Sequence, residues 1–344
     1  MAYGSVLGRN TKPQFVPTFA ISGPLPGDTV IVSYGGTAVE AVEDNGVWYA
    51  KAWAYGSYTV SVGSKSTTVN VDEVKLYEVT LITVDTTLNN NSWNVIRKVS
   101  DMGQANNYWK VGDRKAVVLN GTVGNLTLSS YTTYCFILGL NHNAELEGNN
   151  TIHFQFGKTA LSGGTDVAFV DDYNSVVSTT GYFSMNSSRT NSGGWASSQM
   201  RTNICGTSLS SYSGTIIGVI PAELRTVLKA VTNYTDNTAN GSDSNASYIT
   251  ATTDYFFLLS EFEIFGSISQ GNTNEESKQA QYAYYSAGNS KIKYKHNDTS
   301  TAALWWLRSP KVNYSPFFVV TSASGTDDYY YANNSIGFAP AFAV

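Results

Sequence analysis

The chain has 344 residues, with 26 Asp plus Glu against 21 Lys plus Arg and a formal charge of −5. That balance excludes a nucleic-acid binder working by bulk positive charge, because phosphate binding needs a clustered cationic surface. The length exceeds the roughly 250–300 residues at which single cores stop growing, so two domains are expected. Only 14% of residues are charged while 23 are Tyr, a composition that suits adaptable binding surfaces and equally a chain rich in strands. No apolar run is as long as a membrane span, and the opening MAYGSVLGRNTKPQF lacks a charged segment followed by an apolar one. A soluble chain without an export signal is therefore expected. Cys135 and Cys205 lie far apart and outside any metal-type spacing, which predicts two buried thiols and neither a disulfide framework nor a zinc site.

In chain order, the runs TVIVSY, VWYAKAWA, SYTVSV, STTVNV and LYEVTLITV alternate apolar and polar residues. Turn signals such as Asp44-Asn45-Gly46 separate them, and the pattern predicts a small all-β sandwich over residues 1–82. Its first part, with Pro13, Pro17, Pro24 and Pro26, reads as an extended lead-in. The texture then changes, and residues 83–344 read as a second domain. Val95, Ile96, Val99 and Met102 share one face of a short amphipathic helix. An Asn106-Asn107 turn leads to WKVGDRKAVVLNG, read as a hairpin, and TYCFILGL reads as a buried strand. Residues 160–215 look like loops with a few short strands. A second helix starts at Pro221, with Leu224, Val227, Leu228 and Val231 as its apolar stripe. DYFFLLSEFEIFG reads as a strand pair or one bent strand, which places Glu261 and Glu263 on one face. Thr273-x-x-Glu276 reads as a capping box for a helix carrying Tyr282 and Tyr285. WWLRSP, FFVVTS, DYYYA and IGFAPAFAV return to strands. Two main helices, several strands and long loops give an α+β class.

Several separated motifs carry a resemblance. They are Trp93 with its helix, Tyr108-Trp109-Lys110-Val111-Gly112-Asp113, Gly194-Trp195 with Met200-Arg201, Leu259-Ser260-Glu261-Phe262-Glu263-Ile264-Phe265-Gly266, and Trp305-Trp306-Leu307-Arg308-Ser309-Pro310 with Ala339-Pro340-Ala341-Phe342. In that order they resemble a domain family of bacterial surface and phage tail proteins with a C-type-lectin-like fold, the fold shared by formylglycine-generating enzymes. The N-terminal block resembles the immunoglobulin-like modules of the same protein classes. The segment VNYSPFFVVTSASGTDDYYYANNSIGF resembles the variable region of proteins diversified by retroelements. It lacks Trp, Met, Lys, Gln and Glu, the types that an AAC codon cannot reach when its adenines are randomised.

The resemblance implies a variable region over about residues 311–338, with Asn313, Tyr314, Phe317, Thr321, Thr326, Asp328, Tyr329, Tyr330, Tyr331, Asn333, Asn334 and Ile336 displayed to a ligand. Trp305, Trp306 and Arg308 would form the scaffold. Trp305 and Trp306 are expected to split between core and surface, and Arg308 to donate to loop carbonyls. Of three consecutive tyrosines at least one must be exposed, because side chains alternate along a strand.

Catalytic chemistry is thin. His142 and His153 read as polar residues near strands and His296 as a solvent-loop residue beside Lys293 and Lys295, without metal-type spacing. Glu261 and Glu263 are the one carboxylate pair to weigh as a glycosidase site, with scaffold roles the preferred reading. Asp171-Asp172 and Asp327-Asp328 are candidate calcium ligands outside any EF-hand loop, and the EPN, QPD and WND triplets of calcium-dependent lectins are missing. The expectation is a non-enzymatic adhesin of a phage tail, assembled in the host bacterial cytoplasm, without catalytic residue, cofactor or metal. Its partners would be a bacterial surface receptor, protein or glycan, and other tail proteins through the N-terminal domain, with no nucleic acid or membrane. The likeness to tail fibres leans to a homotrimer. A tail-associated glycan-degrading enzyme and a structural decoration protein are the alternatives.

Overall fold

The structure, a computed structural model, describes residues 16–25, 27–173, 182–239 and 244–344. The chain divides into two compact units, Met1–Val84 and Asp85–Val344. Strand outweighs helix, 39% against 17%, so the class is α+β leaning strongly to β.

The first unit holds β1 (Thr18–Ser22), β2 (Val30–Tyr34), β3 (Thr37–Val39), β4 (Ala41–Asp44), β5 (Val47–Lys51), β6 (Gly56–Val62), β7 (Lys65–Val71) and β8 (Leu76–Thr80). They form two four-stranded sheets, β4-β5-β1-β8 and β3-β2-β6-β7. Alternate residues of both sheets, among them Phe19, Ile21, Val32, Tyr58, Val60 and Val79, fill one shared core. Part of the expected lead-in is in fact a strand: Phe19 and Ile21 of β1 are buried in alternation, and β1 pairs parallel with β8 and antiparallel with β5. Pro13 and Pro26 lie outside the described residues. Asn45 and Gly46 both take positive φ, 50° and 80°, as a tight β4–β5 hairpin requires. Tyr58 shows why tyrosine recurs here: its ring is buried while its hydroxyl accepts from Trp53 N and Ala54 N, both at 3.1 Å.

The second unit begins with the helix Trp93–Asp101, whose Ser92 cap accepts from Val95 N at 3.3 Å. Its strands are β9 (Arg114–Val123), β10 (Leu126–Leu140), β11 (Ile152–Lys158), β12 (Val167–Ala168), β13 (Val231–Asp236), β14 (Ile249–Asp254), β15 (Phe256–Phe257), β16 (Lys293–Lys295), β17 (Asp298–Ala303), β18 (Trp305–Pro310), β19 (Phe317–Thr321), β20 (Asp327–Tyr331) and β21 (Ala341–Ala343). The main sheet runs β15-β21-β11-β10-β9, so the chain's last strand sits inside it. There Phe342 packs on Phe154, Phe156, Phe256 and Trp93. Smaller sheets are β12-β16-β17, β13-β14 and β18-β19-β20.

Four local expectations are corrected. WKVGDRKAVVLNG contributes only β9, and the hairpin is formed by β9 with β10. The helix expected from Pro221 is confined to Ala222–Arg225, with Pro221 as its cap. Its stripe Leu224, Val227, Leu228 and Val231 is buried throughout, but Lys229 N bonds Ala343 O at 2.9 Å and Val231 opens β13, so strand pairing overrides helical period. SEFEIF is a helix, Glu261–Phe265, because Ser260 and Glu263 form a capping box. The cap of the 3-10 turn Thr273–Ser277 is Asn272 and not Thr273, while Tyr282 and Tyr285 belong to a separate helix, Ala283–Ser286, with Tyr282 as its cap.

Candidate ligand-binding face

The frame comes first. Every residue of β18 is buried, so Trp305 and Trp306 do not split between core and surface. Both sides of the strand are covered, and each indole finds a backbone acceptor: Trp305 Nε1 donates to Lys291 O and Trp306 Nε1 to Phe183 O, both at 2.9 Å. Arg308 is fully buried, donating to Leu258 O at 2.8 Å, Tyr234 O at 3.3 Å and Glu263 Oε2 at 2.6 Å. Burial opposes its charge, yet Glu263 outweighs this and holds Arg308 above its ordinary pKa. Glu261, two residues before Glu263, accepts from Ser269 N, Gln270 N and Gly271 N at 2.7–2.9 Å and donates through its own N–H to Ser309 Oγ. Burial raises its pKa against the pull of those donors. The paired glutamates thus lie on a capped helix turn and fasten β18 to the loop 269–271.

On that frame, β19 pairs with β18 on one side and with β20 on the other, which leaves β20 as the edge strand. The register sets Phe317 opposite Tyr331 and Val319 opposite Tyr329. Residues of one parity share a side of the sheet: Phe317, Tyr329 and Tyr331 are its open part, joined by Tyr314 from the preceding turn, while Val319 and Thr321 on the same side are fully covered. Tyr314 and Tyr329 stack at 6.3 Å with planes 10° apart, Phe317 meets Tyr329 edge-on at 5.1 Å, and Phe317 lies 4.5 Å from Tyr331. All five residues of β20 are half-buried and Tyr314 is 55% exposed. Lys311 Nζ sits 5.1 Å from the Tyr329 ring and 5.8 Å from that of Tyr314, and the Arg189 guanidinium sits 4.2 Å from Tyr331. Asp327 is fixed by Ser269 Oγ and Gln270 Nε2, which hold its carboxyl below its ordinary pKa although burial pulls the other way. Tyr330 points to the opposite face, opposite Phe318 in register, and Asp328 accepts from Tyr329 N at 2.8 Å.

Of the residues expected on display, Asn313, Tyr314 and Thr326 are exposed, while Phe317, Asp328, Tyr329, Tyr330 and Tyr331 are half-buried. Thr321, Asn333, Asn334 and Ile336 are buried and do not belong to the face. Thr321 stands opposite Trp305 in the sheet, and after Tyr331 the chain turns inward: Ala332 N bonds Pro316 O and Ile336 N bonds Phe183 O. The sequence reading missed three residues. Arg189 and Lys311 flank the rings. Asn191, fully buried, donates through Nδ2 to Lys311 O, Tyr314 O and Phe317 O at 2.9–3.2 Å, and so fixes the turn that carries Tyr314. Asn191 and Arg189 lie in a stretch without periodicity, where no pattern marks a buried clamp.

His153 lies in β11 and His142 just after β10, near strands as expected, whereas His296 differs. His142 and His153 are buried: His142 stacks on Tyr282 at 3.7 Å and burial holds it well below its ordinary pKa, while His153 bridges Tyr282 Oη and Glu147 Oε2, both at 2.9 Å. His296 is half-buried, not on a solvent loop, and accepts from Val170 N at 3.1 Å. Asp171 accepts from Tyr182 N, Phe183 N and the Ser335 hydroxyl. Among the described residues no group of three or more His, Cys, Asp or Glu is placed to hold a metal.

Residues 170–344 match a domain of unknown function, DUF6273. The chain belongs to this family. The DUF6273 stretch takes in Arg189, Asn191, the Glu261–Phe265 helix, the β18-β19-β20 sheet and β21, whereas β9, β10 and β11 precede it. No curated protein and no solved structure matches the chain.

Proposed function

We propose that this DUF6273 protein is a receptor-binding display protein of a bacteriophage tail. On this reading the second unit is a C-type-lectin-like domain whose face is diversified by a retroelement, and the first is an immunoglobulin-like module that attaches to other tail proteins. The observation that carries the reading is the partition across one small sheet. β18 is wholly enclosed and clamped by Arg308 and Glu263, whereas Tyr314, Phe317, Tyr329 and Tyr331 form one continuous aromatic face across β20, the start of β19 and the turn before it. A rigid frame with amphipathic rings at its edge loses little entropy on binding and tolerates substitution at its outer positions. Arg189 and Lys311 add charged donors to the rim of that face, which suits a receptor offering acceptors beside an apolar or ring surface.

Against the glycan-degrading alternative stands the burial of Glu261 and Glu263, which are bonded to the loop 269–271 and to Arg308 respectively. Sequencing the codons of residues 305–338 across a population that carries the gene tests the reading. Variation is expected at Asn313, Tyr314, Phe317, Thr326, Tyr329 and Tyr331, with Thr321, Asn333, Asn334, Ile336, Trp305 and Trp306 constant. Uniformly low variation, or variation as great at the buried positions, would overturn it.

A further inference from the structure

The motif Tyr108-Trp109-Lys110-Val111-Gly112-Asp113 takes no part in the aromatic face, and all of it but Val111 lines a cleft of the second unit of about 610 Å³. That volume falls within the range of about 300–1,000 Å³ usual for small-molecule sites. Thr86, Thr87 and Asn89 form one wall, Asn106, Asn107 and Tyr108 another, and Leu161 with Arg114 closes a third. Behind the walls the backbone is fixed by buried polar groups. Trp109, 3% exposed, donates through Nε1 to Asp85 O at 3.1 Å. Asn91 donates to Asp85 O at 2.9 Å and Thr87 O at 3.0 Å, and Lys115 Nζ to Asn91 O at 2.6 Å and Asn89 O at 3.3 Å. Asn89 Oδ1 accepts from Ala116 N at 2.9 Å, and Arg114 Nη1 holds the third wall through Ala160 O and Gly163 O.

The front of the cleft is the reverse. Asn106 and Asn107 are exposed, and neither their amides nor the Tyr108 hydroxyl bond to another described residue through their side chains. Among the described residues nothing accepts from the Asn89 amide N–H groups, and Asp113 uses only Oδ2, accepting from Lys110 N at 3.0 Å.

From this arrangement we infer that the cleft is a second binding site, for a neutral oligosaccharide. Each amide offers a donor and an acceptor side by side, the pattern that vicinal hydroxyls satisfy. The partly exposed Tyr108 ring offers an apolar face for the C–H side of a sugar ring. Asp113 accepts from hydroxyls and offsets the charge of Lys110 or Arg114 in the lining, and Arg114 Nη1 is already bonded to two carbonyls, which leaves its remaining N–H groups as further donors to hydroxyl oxygens. The walls are set before binding, so few side chains need ordering. The site is independent of the aromatic face and lies outside the residues matched to DUF6273.

The test is binding of the full chain to an array of soluble oligosaccharides, neutral ones (chitotriose, maltotriose, cellotriose, lactose-terminated chains) beside sialylated and uronic-acid chains. At least one neutral chain should be retained. Asn106→Ala with Asn107→Ala, and separately Tyr108→Ala, should weaken its binding by roughly tenfold or more. Tyr108→Phe should retain most of it, and Tyr329→Ala should leave it unchanged. These side chains are exposed or half-exposed, so unaltered thermal midpoints would show that folding is intact. Retention of acidic chains only, retention of none, or binding that survives the Asn106 and Asn107 changes would overturn the inference. Loss on Tyr329→Ala alone would place the sugar on the aromatic face and overturn it as well.

Discussion

Glu263→Ala removes one carboxylate that performs two tasks. Its Oε2 takes the Arg308 Nη1 donor at 2.6 Å, with both side chains fully buried, and also accepts from Ser260 N at 2.8 Å to close the capping box. Breaking a buried pair from one side costs about 3–5 kcal/mol, because the surviving charge is left uncompensated. Loss of the reciprocal cap adds about 1 kcal/mol. The expected destabilisation is thus about 4–6 kcal/mol, a large part of the roughly 5–15 kcal/mol that holds a domain folded. Arg308 would retain Leu258 O and Tyr234 O, neutral acceptors that cannot replace a carboxylate.

Guanidinium unfolding followed by tryptophan fluorescence reads this directly, since Trp93, Trp109, Trp195, Trp305 and Trp306 are all buried in the second unit. Glu263→Leu combined with Arg308→Met should cost clearly less than the sum of the two single changes, because no charge is then stranded. A loss below about 1.5 kcal/mol for Glu263→Ala would refute the reasoning, and so would a double variant whose cost equals the sum. The same result bears on function, because activity assays on Glu261 or Glu263 variants would report collapse of the frame before they reported chemistry.

Thr321→Val tests whether that residue is core or face: its buried hydroxyl bonds to no described residue, so the change should stabilise the chain by about 1 kcal/mol and leave receptor binding intact, whereas a loss of both would return Thr321 to the face. Asn191→Ala should cost about 2 kcal/mol, through loss of the buried amide's bonds to Lys311 O, Tyr314 O and Phe317 O, the last two of which keep a backbone donor, and weaken binding at the aromatic face more than Asn203→Ala, an exposed control. Burial lifts the Glu275 carboxyl to about 7, with Arg308 opposing. The folded chain therefore holds a proton that the unfolded chain releases above about pH 4.5, and stability should fall by about 3 kcal/mol as pH rises through that window. Glu275→Gln should flatten this fall, and urea midpoints at pH 5 and pH 8 that shift equally in both proteins would contradict it. Burial lowers His296 to about 4, so its contribution runs the other way, lost as pH falls from about 6.5 toward 4. A His296→Gln variant should lose less of its stability than the native chain over that range, and equal losses would rule this out.

The alternating runs of the first unit were legible because a half-buried strand writes its period into the sequence, as Tyr58, Val60 and Val62 do. The helix after Ser92 was legible for the same reason. What misled were segments where two codes overlap. DYFFLLSEFEIFG carries strand-formers on both sides of a four-residue capping signal, and the cap decided. The stripe beyond Pro221 is helical in period, but at Lys229 the backbone bridges to Ala343 of β21, more than a hundred residues away. Within the C-terminal segment, composition marked a region and could not separate Tyr331 from Asn333, because the inward turn after Tyr331 is set by tertiary bonds, Ala332 N to Pro316 O and Ile336 N to Phe183 O. Arg189 and Asn191 had no local signal, since what they contact, Tyr331 and the turn 311–317, is fixed only by tertiary folding.

The placement of Asn191 bears on how such a face would tolerate change. Its amide holds the turn 311–317 through backbone carbonyls alone, and β19 holds β20 through a backbone ladder. Neither attachment depends on which side chain stands at Tyr314, Tyr329 or Tyr331. The frame beneath, Arg308 with Glu263 and Trp306 with Phe183 O, uses side chains that all lie outside the face. Substitutions at the outer positions therefore change surface chemistry at a cost near that of half-buried positions elsewhere, whereas the same substitutions at Thr321, Asn334 or Ile336 enter a closed core.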